Sequence, residues 1–467
     1  MKKILYVFVM FAITLTSCED FLDVKPKGKL IPNTVSDYDK LMISDDAVKW
    51  NFLDNNTGSL IPNLTDDVKM TPAVEESFAN SYNLDRFRAY KYEQAYVDKN
   101  TSSYMWDKGY ANILAFNTII NKTNEVAVSD ADKLLAKKII SQAKVGRAWI
   151  YFNFANIYGP VFDPNGKNDG KTIPLVLDHD IDNPIPDLSS VNDIYDFLTK
   201  DLRSEISNLP VNVKDPFRAS RKAGSALLAQ IYLFKQQYDS VAYYADKAWA
   251  GEEFLYDYNT FEKDPVSNEV SGLVTNATQK ENLFYRQTAR NVSTGMGYVS
   301  DELVNLYDEN DLRFKYFISK RSGKGDDVEY QQDYDKNNFA KTVGFSHPEV
   351  LLLRAEAYAR LNRRQDAIDA LNILKKNRYE TGTEAWELGD KTQDDVIELV
   401  LNERRKELAF LTNKRFLDLK RFSVEVGKPW SKQKVVHMIG EDKYEGDIAT
   451  KFQVEISPEV LEMNPHW

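Results

Sequence analysis

The residues able to do chemistry are scattered along the chain, and their spacing argues against most catalysis. Four histidines, His179, His347, His437 and His466, form no two-histidine helical pair with a following glutamate, so a catalytic zinc site has few ligands to draw on. Gly166-Lys167-Asn168-Asp169-Gly170-Lys171-Thr172 has the composition of a phosphate loop. Its glycines stand one residue too close, and Pro174 follows where a helix must begin, so it reads as a solvated turn. Asp178, Asp180 and Asp182 begin like a calcium loop, but Asn183 replaces the turn glycine and Ser189 stands where the bidentate glutamate belongs. A surface calcium contact stays open; a helix-loop-helix calcium hand does not. No Gly-x-Ser-x-Gly elbow occurs. With 71 carboxylates a glycosidase pair cannot be picked from sequence. Asp66 and Asp67 are the most suggestive neighbours, and a solvated loop is the plainer reading of them.

Cys18, the sole cysteine, has different chemistry. It follows Lys2, Lys3 and an apolar run from Ile4 to Ala12 that continues through Ile13 and Leu15, the pattern of an export signal. The exit Leu15-Thr16-Ser17-Cys18 resembles the bacterial lipobox, in which the cysteine is acylated and becomes the first mature residue. The expected division is a signal peptide over 1–17 and a single mature domain over 18–467, held at a membrane through lipid on Cys18. No later stretch approaches the roughly 18 uninterrupted apolar residues of a membrane span. Lys and Arg number 60 against those 71 acids, a net charge of -11, which speaks against a nucleic-acid partner.

The elements that must position these residues are mainly helices. Leu228, Ala229 and Tyr232, followed by Val241, Ala245 and Ala248, have the spacing of a helical hairpin. Ala355 and Tyr358, followed by Ala367, Leu371 and Leu374, repeat it: Ala three residues before Tyr, then apolar positions nine, 13 and 16 residues after. This small-then-large pattern is that of a tetratricopeptide helix pair, where Ala permits close approach. The copies lie 126 residues apart, which predicts repeats interrupted by long insertions. Further helices are predicted over Trp106 to Ile120, from about Lys133 to Tyr158, and from Ser190 until Pro210. Ser346 and Glu349 have capping-box spacing. Arg404-Arg405-Lys406, Lys414-Arg415 and Lys420-Arg421 alternate with apolar residues and with Glu403, Glu407 and Asp418, which reads as structural ion pairing. Two irregular Tyr-rich stretches, about 51–99 and 252–345, separate the helices; Gly295, Gly297, Gly323 and Gly325 puncture the second, and a short strand is expected at Leu283 to Arg286.

In this order the segments resemble the SusD/RagB nutrient-uptake lipoproteins. The resemblance is carried by Cys18-Glu19-Asp20-Phe21-Leu22-Asp23, by Arg147-Ala148-Trp149-Ile150-Tyr151 leading to Tyr158-Gly159-Pro160, and by Glu349 to Ala357. Asn402 to Phe410, Arg415 to Arg421 and Pro458 to Pro465 complete it. Leu411-Thr412 stands where the family has Glu-Gly, and Glu455-Ile456-Ser457 where it has Pro-Ile-Pro.

The resemblance implies a mainly α fold of tetratricopeptide-like pairs with ligand-binding insertions and a few short strands. It also implies a lipid-anchored outer-membrane protein, facing outward, that binds a nutrient and passes it to a SusC-like TonB-dependent transporter. The expected ligand is an oligosaccharide or polysaccharide, with a peptide as the alternative and a surface glycosidase as a remoter one. No catalysis and no cofactor are expected. Sugar rings stack their C–H faces on aromatic rings while their hydroxyls take polar partners. Candidates in the insertions are therefore Tyr82, Arg86, Tyr90, Tyr92 and Tyr96, then Tyr285, Arg286 and Tyr298.

Overall fold

The computed structural model describes residues 32–467 apart from 54–55, 79–83, 94, 97–102, 252, 273–276, 288–296, 323–327 and 334–340. Cys18, the 1–17 segment, Tyr82, Gly295, Gly323 and Gly325 lie outside the described residues.

Among the described residues nine helices carry the scaffold: α1 (Tyr104–Lys122), α2 (Asp130–Tyr158), α3 (Val191–Glu205), α4 (Arg221–Phe234), α5 (Tyr238–Trp249), α6 (His347–Arg360), α7 (Arg364–Arg378), α8 (Gln393–Glu407) and α9 (Lys414–Ser423). Ser129, Ser190 and Thr392 open α2, α3 and α8 with full capping boxes, each serine or threonine taking an amide while an aspartate three residues on returns the bond. At α6 the box is only half made, contrary to the sequence. Ser346 Oγ accepts the Glu349 amide at 3.4 Å, but the Glu349 carboxylate turns inward to Lys414 Nζ at 2.8 Å.

The two hairpins separated by 126 residues in sequence are neighbours in space, α5 packing directly on α6. Arg354 Nε donates to Asp246 at 2.8 Å across that contact, and the Tyr358 hydroxyl donates to the same carboxylate. The insertion thus leaves the stack after α5 and returns to it at α6. Ala229, Ala245, Ala355 and Ala367 are fully buried, which lets neighbouring helices close together.

The α1–α2 hairpin uses glycine in the same way, reciprocally. A Cβ on Gly109 would stand 2.0 Å from Phe154 Cζ, and one on Gly146 would stand 2.4 Å from Phe116 Cζ, so each helix leaves room for the other's ring. Gly109→Ala must therefore displace Phe154, which packs among Phe52, Trp106, Tyr110 and Tyr158. We expect a loss of about 1–3 kcal/mol, measured by urea denaturation.

Among the described residues the sheets are all two-stranded. The longest is the antiparallel hairpin β1 (Lys434–Ile439) and β2 (Asp442–Asp447). Val435, His437 and Ile439 alternate inward along β1 as a half-buried strand requires. The strand expected at Leu283 to Arg286 forms at Asn282–Phe284 instead, pairing with Phe345–Ser346.

Candidate functional site

The tyrosines singled out from sequence are largely turned inward. Tyr90, Tyr92 and Tyr96 are buried, and each ring's hydroxyl donates to a backbone carbonyl: Met438 at 3.2 Å, Leu64 at 2.9 Å and Lys451 at 3.0 Å. His437 lies between the first two, its ring stacked on Tyr90 at 4.0 Å and on Tyr92 at 4.9 Å. These rings fasten the first insertion to β1 and to the segment after β2, and their faces are taken up by packing. Arg86 is buried as well, and burial pushes its guanidinium down to about 10. Tyr285 is buried edge-on against Phe217, with ring centroids 5.0 Å apart. Arg286 donates to the Phe217 and Tyr285 carbonyls and lies 4.0 Å over the Phe284 ring. Tyr298 alone of the described candidates is partly exposed, paired with Lys69 in a short antiparallel ladder.

Asp66 and Asp67 are not in a solvated loop; both carboxylates are buried. Arg415 Nε reaches Asp66 at 2.7 Å and Arg405 Nε reaches Asp67 at 2.8 Å. Burial alone would raise the Asp66 carboxyl, but the Arg405 and Arg415 guanidiniums outweigh it and hold Asp66 well below the usual range. A carboxylate so engaged is a strut of the fold rather than a general acid.

The basic run is ion-paired, as its sequence suggests, but inside the protein. Arg404, Arg405 and Lys406 are successive on α8 and so point about 100° apart, each into a different acidic cluster. Arg404 meets Asp418 at 2.9 Å, Arg405 meets Asp67, and Lys406 meets Asp311 at 3.2 Å. Asp418 is near Arg404 in sequence, but Asp67 and Asp311 come from distant parts of the chain, which a helix-face pattern cannot foretell.

The aspartates at 178, 180 and 182 form a run of side chain to backbone turns: Asp178 Oδ1 accepts the His179 and Asp180 amides, and Asp180 Oδ1 accepts the Asp182 amide. Among the described residues no group of His, Cys, Asp and Glu is arranged to hold a metal ion. Residues 163–168 are a surface turn closed by Asn168 on the Asp163 backbone.

One apolar concavity was not among the sequence candidates. It is a groove of about 550 Å³ between α1, the loop 174–186 and the segment 460–467. Trp106, Tyr110 and Trp467 make its aromatic floor; Asp178, Asp180, Asn183 and Asn464 supply polar groups along it. Trp106 and Trp467 lie 6.1 Å apart with planes at 60°, and Trp467 Nε1 donates to the Pro186 carbonyl at 3.2 Å. Tyr110 gives its hydroxyl to the Pro174 carbonyl at 2.9 Å, which fixes the loop over the helix. Ile181 at the rim is 80% exposed. Trp106 and Tyr110 recur at helical spacing and were legible only as core; nothing in sequence joins Trp467 to them.

A family model described as "Starch-binding associating with outer membrane" matches residues 20–233, and the SusD family model matches residues 253–457. A SusD-like protein of Bacteroides ovatus is 25% identical over 245 residues, 51% of this chain and 41% of that protein, so the match spans under half of that relative's length. SusD-like protein P38 of Formosa agariphila is 22% identical over 374 residues, 67% of this chain and 70% of that one. The fold is similar to a SusD superfamily protein from Bacteroides fragilis, with TM-score 0.70, 18% identity and coverage of 93% of this chain and 99% of that one. A SusD-like carbohydrate binding protein from Bacteroides vulgatus aligns with TM-score 0.65 and 18% identity over 92% and 96% of the two chains. The tetratricopeptide-like stack and the two models, which between them cover nearly the whole chain, agree: this chain belongs to the SusD/RagB family.

Proposed function

We propose that this protein is a noncatalytic, lipid-anchored surface receptor that binds a glycan and delivers it to a SusC-like TonB-dependent transporter in the outer membrane. The observation that carries glycan binding is the groove over Trp106, Tyr110 and Trp467. Its aromatic floor suits the apolar faces of sugar rings, and Asp178, Asp180, Asn183 and Asn464 suit their hydroxyls. Its volume is that of a ligand site, and its floor is held in place before binding by the bonds of Tyr110 and Trp467. The similarity to a carbohydrate binding protein of Bacteroides vulgatus points the same way. Among the described residues no helix is long and apolar enough to cross a membrane, which leaves attachment to the lipid expected on Cys18. Tyr298 is retained as a candidate contact outside the groove.

Trp467→Ala tests this. We expect glycan affinity to fall at least about tenfold by calorimetry with unchanged melting temperature, since an aromatic platform is lost and no buried helix is disturbed. Full affinity in that variant would remove the groove from the reading. The exposed Ile181 and half-buried apolar rim favour a second reading, a peptide ligand. Titration with hydrophobic peptides beside oligosaccharides separates the two. Delivery is tested by co-purification of the acylated protein with a SusC-like transporter and by loss of uptake when Cys18 is replaced by alanine.

A further inference from the structure

A second concavity, remote from the aromatic groove in its lining residues, has the opposite chemistry. It is a cleft of about 290 Å³ between the α3–α4 connection and the segment 278–283, with His347 on its floor. Among the described residues Lys214, Lys222 and Lys280 line it, and no carboxylate does. The acids next to it in sequence are committed elsewhere. Asp215 accepts the Phe217 amide at 2.9 Å, and Glu281 takes Arg378 Nη2 at 2.7 Å and the Tyr256 amide at 2.8 Å. The 14-residue helix α4 begins at this cleft behind its cap Ser220, adding the positive end of a helix dipole.

The observation pointing to a ligand is His347. Its side chain opens α6, is 6% exposed, and packs against the Trp249 ring at 6.3 Å. Its Nδ1 is buried with no hydrogen-bond partner among the described residues. Leaving a buried nitrogen unsatisfied is costly, and an incoming acceptor oxygen would recover that cost. Burial, aided by the Lys222 charge, pushes the imidazole down to about 4, so at neutral pH the ring is uncharged and able to give a single N–H.

We propose that this cleft binds the oxyanion of a charged saccharide, a carboxylate or a sulfate ester, with Lys214 and Lys280 neutralising it and His347 donating to it. On a chain of net charge -11 an anionic glycan is repelled at long range, and a local basic cleft is what reverses that. The saccharide carrier rests on the glycan reading above; the anion site does not.

The test is carried out on the mature protein with an oligogalacturonate, a sulfated galacto-oligosaccharide, a neutral galacto-oligosaccharide and inorganic sulfate. Histidine ring resonances are followed, His347 being assigned by its loss in His347→Gln, and affinities are measured by calorimetry. We expect at least one charged saccharide to shift the His347 ring and to bind at least tenfold more tightly than the neutral one. The double variant Lys214→Ala, Lys280→Ala, both exposed positions, should lose that advantage while keeping neutral glycan bound at the Trp467 groove. Whichever of the two charged saccharides wins names the carrier. Sulfate shifting His347 with no saccharide bound would support the anion site and retract the glycan reading. Equal affinity for charged and neutral sugars, an unmoved His347 ring, or a double variant indistinguishable from wild type would overturn the proposal.

Discussion

Arg378→Met should cost about 3–5 kcal/mol of stability, the largest loss expected from any one substitution here. Arg378 is wholly buried at the end of α7. Its Nη2 meets Glu281 at 2.7 Å, its Nε meets Glu407 at 3.1 Å, its Nη1 donates to the Tyr256 carbonyl at 2.7 Å, and its plane lies 4.0 Å from the Tyr258 ring. One side chain thus joins α7, α8 and the second insertion. Methionine would fill much of the volume but leave two buried carboxylates facing each other. Burial already raises the Glu281 carboxyl against the pull of Arg378, and with Arg378 gone only the Tyr256 amide opposes it. The sign of the pH dependence follows. A carboxyl whose folded pKa rises above its unfolded one takes up a proton on folding, so the variant's deficit should shrink as pH falls from 8 towards 5. Urea denaturation at both pH values measures it. Adding Glu407→Gln should recover part of the loss at pH 8, whereas equal deficits at both pH values would show that packing, not charge, dominates.

The scaffold was legible in sequence because it is written in local terms. Ala229 with Tyr232 and Ala355 with Tyr358 sit one helical turn apart, and the close helix contact they promise is what forms. The ion pairs were legible as to kind and only partly as to place: Asp418 does pair with Arg404 and Arg421. Arg405 could be seen to need a carboxylate, but Asp67 stands 338 residues away, and no periodicity connects them. The inward placement of the insertion tyrosines was illegible for a related reason. A tyrosine can be surface platform or core, and the choice depends on whether a carbonyl waits for its hydroxyl. For Tyr90 that carbonyl is Met438 and for Tyr96 it is Lys451, both beyond reach of a sequence pattern. The departure at Leu411-Thr412 also has a structural counterpart: Phe410 and Thr412 take positive φ values of 61° and 28°, the conformation glycine adopts freely. The groove escaped notice because three segments of unrelated periodicity make it.

Lys420→Met should cost about 3 kcal/mol at pH 7, and the cost should grow with pH. Helix α2 ends at Tyr158, and the carbonyl of Asn156 would look to the amide four residues on, which belongs to Pro160 and has no N–H. Lys420 supplies the missing donor: Nζ reaches the Asn156 carbonyl at 2.6 Å, that of Gly159 at 2.8 Å and that of Phe452 at 3.0 Å. The neighbouring orphans are met from the same quarter, Ile157 by the Val454 amide and Tyr158 by Gln453. Without the lysine, three buried carbonyls lose their donor, each worth about 1–3 kcal/mol, partly offset by relief of a buried charge. Burial pushes the ammonium from 10.5 down to about 7, so between those values the unfolded chain holds a proton that the folded one has released. Stability contributed by Lys420 therefore rises with pH across that window, by at most about 1.4 kcal/mol per unit, and is flat below it. The difference in unfolding free energy between wild type and Lys420→Met, followed from pH 6 to 10, isolates this group from every other titration. A difference that stays level above pH 7 would mean that the three carbonyls and the negative end of α2 keep the proton in place despite burial, and that the amine is charged throughout.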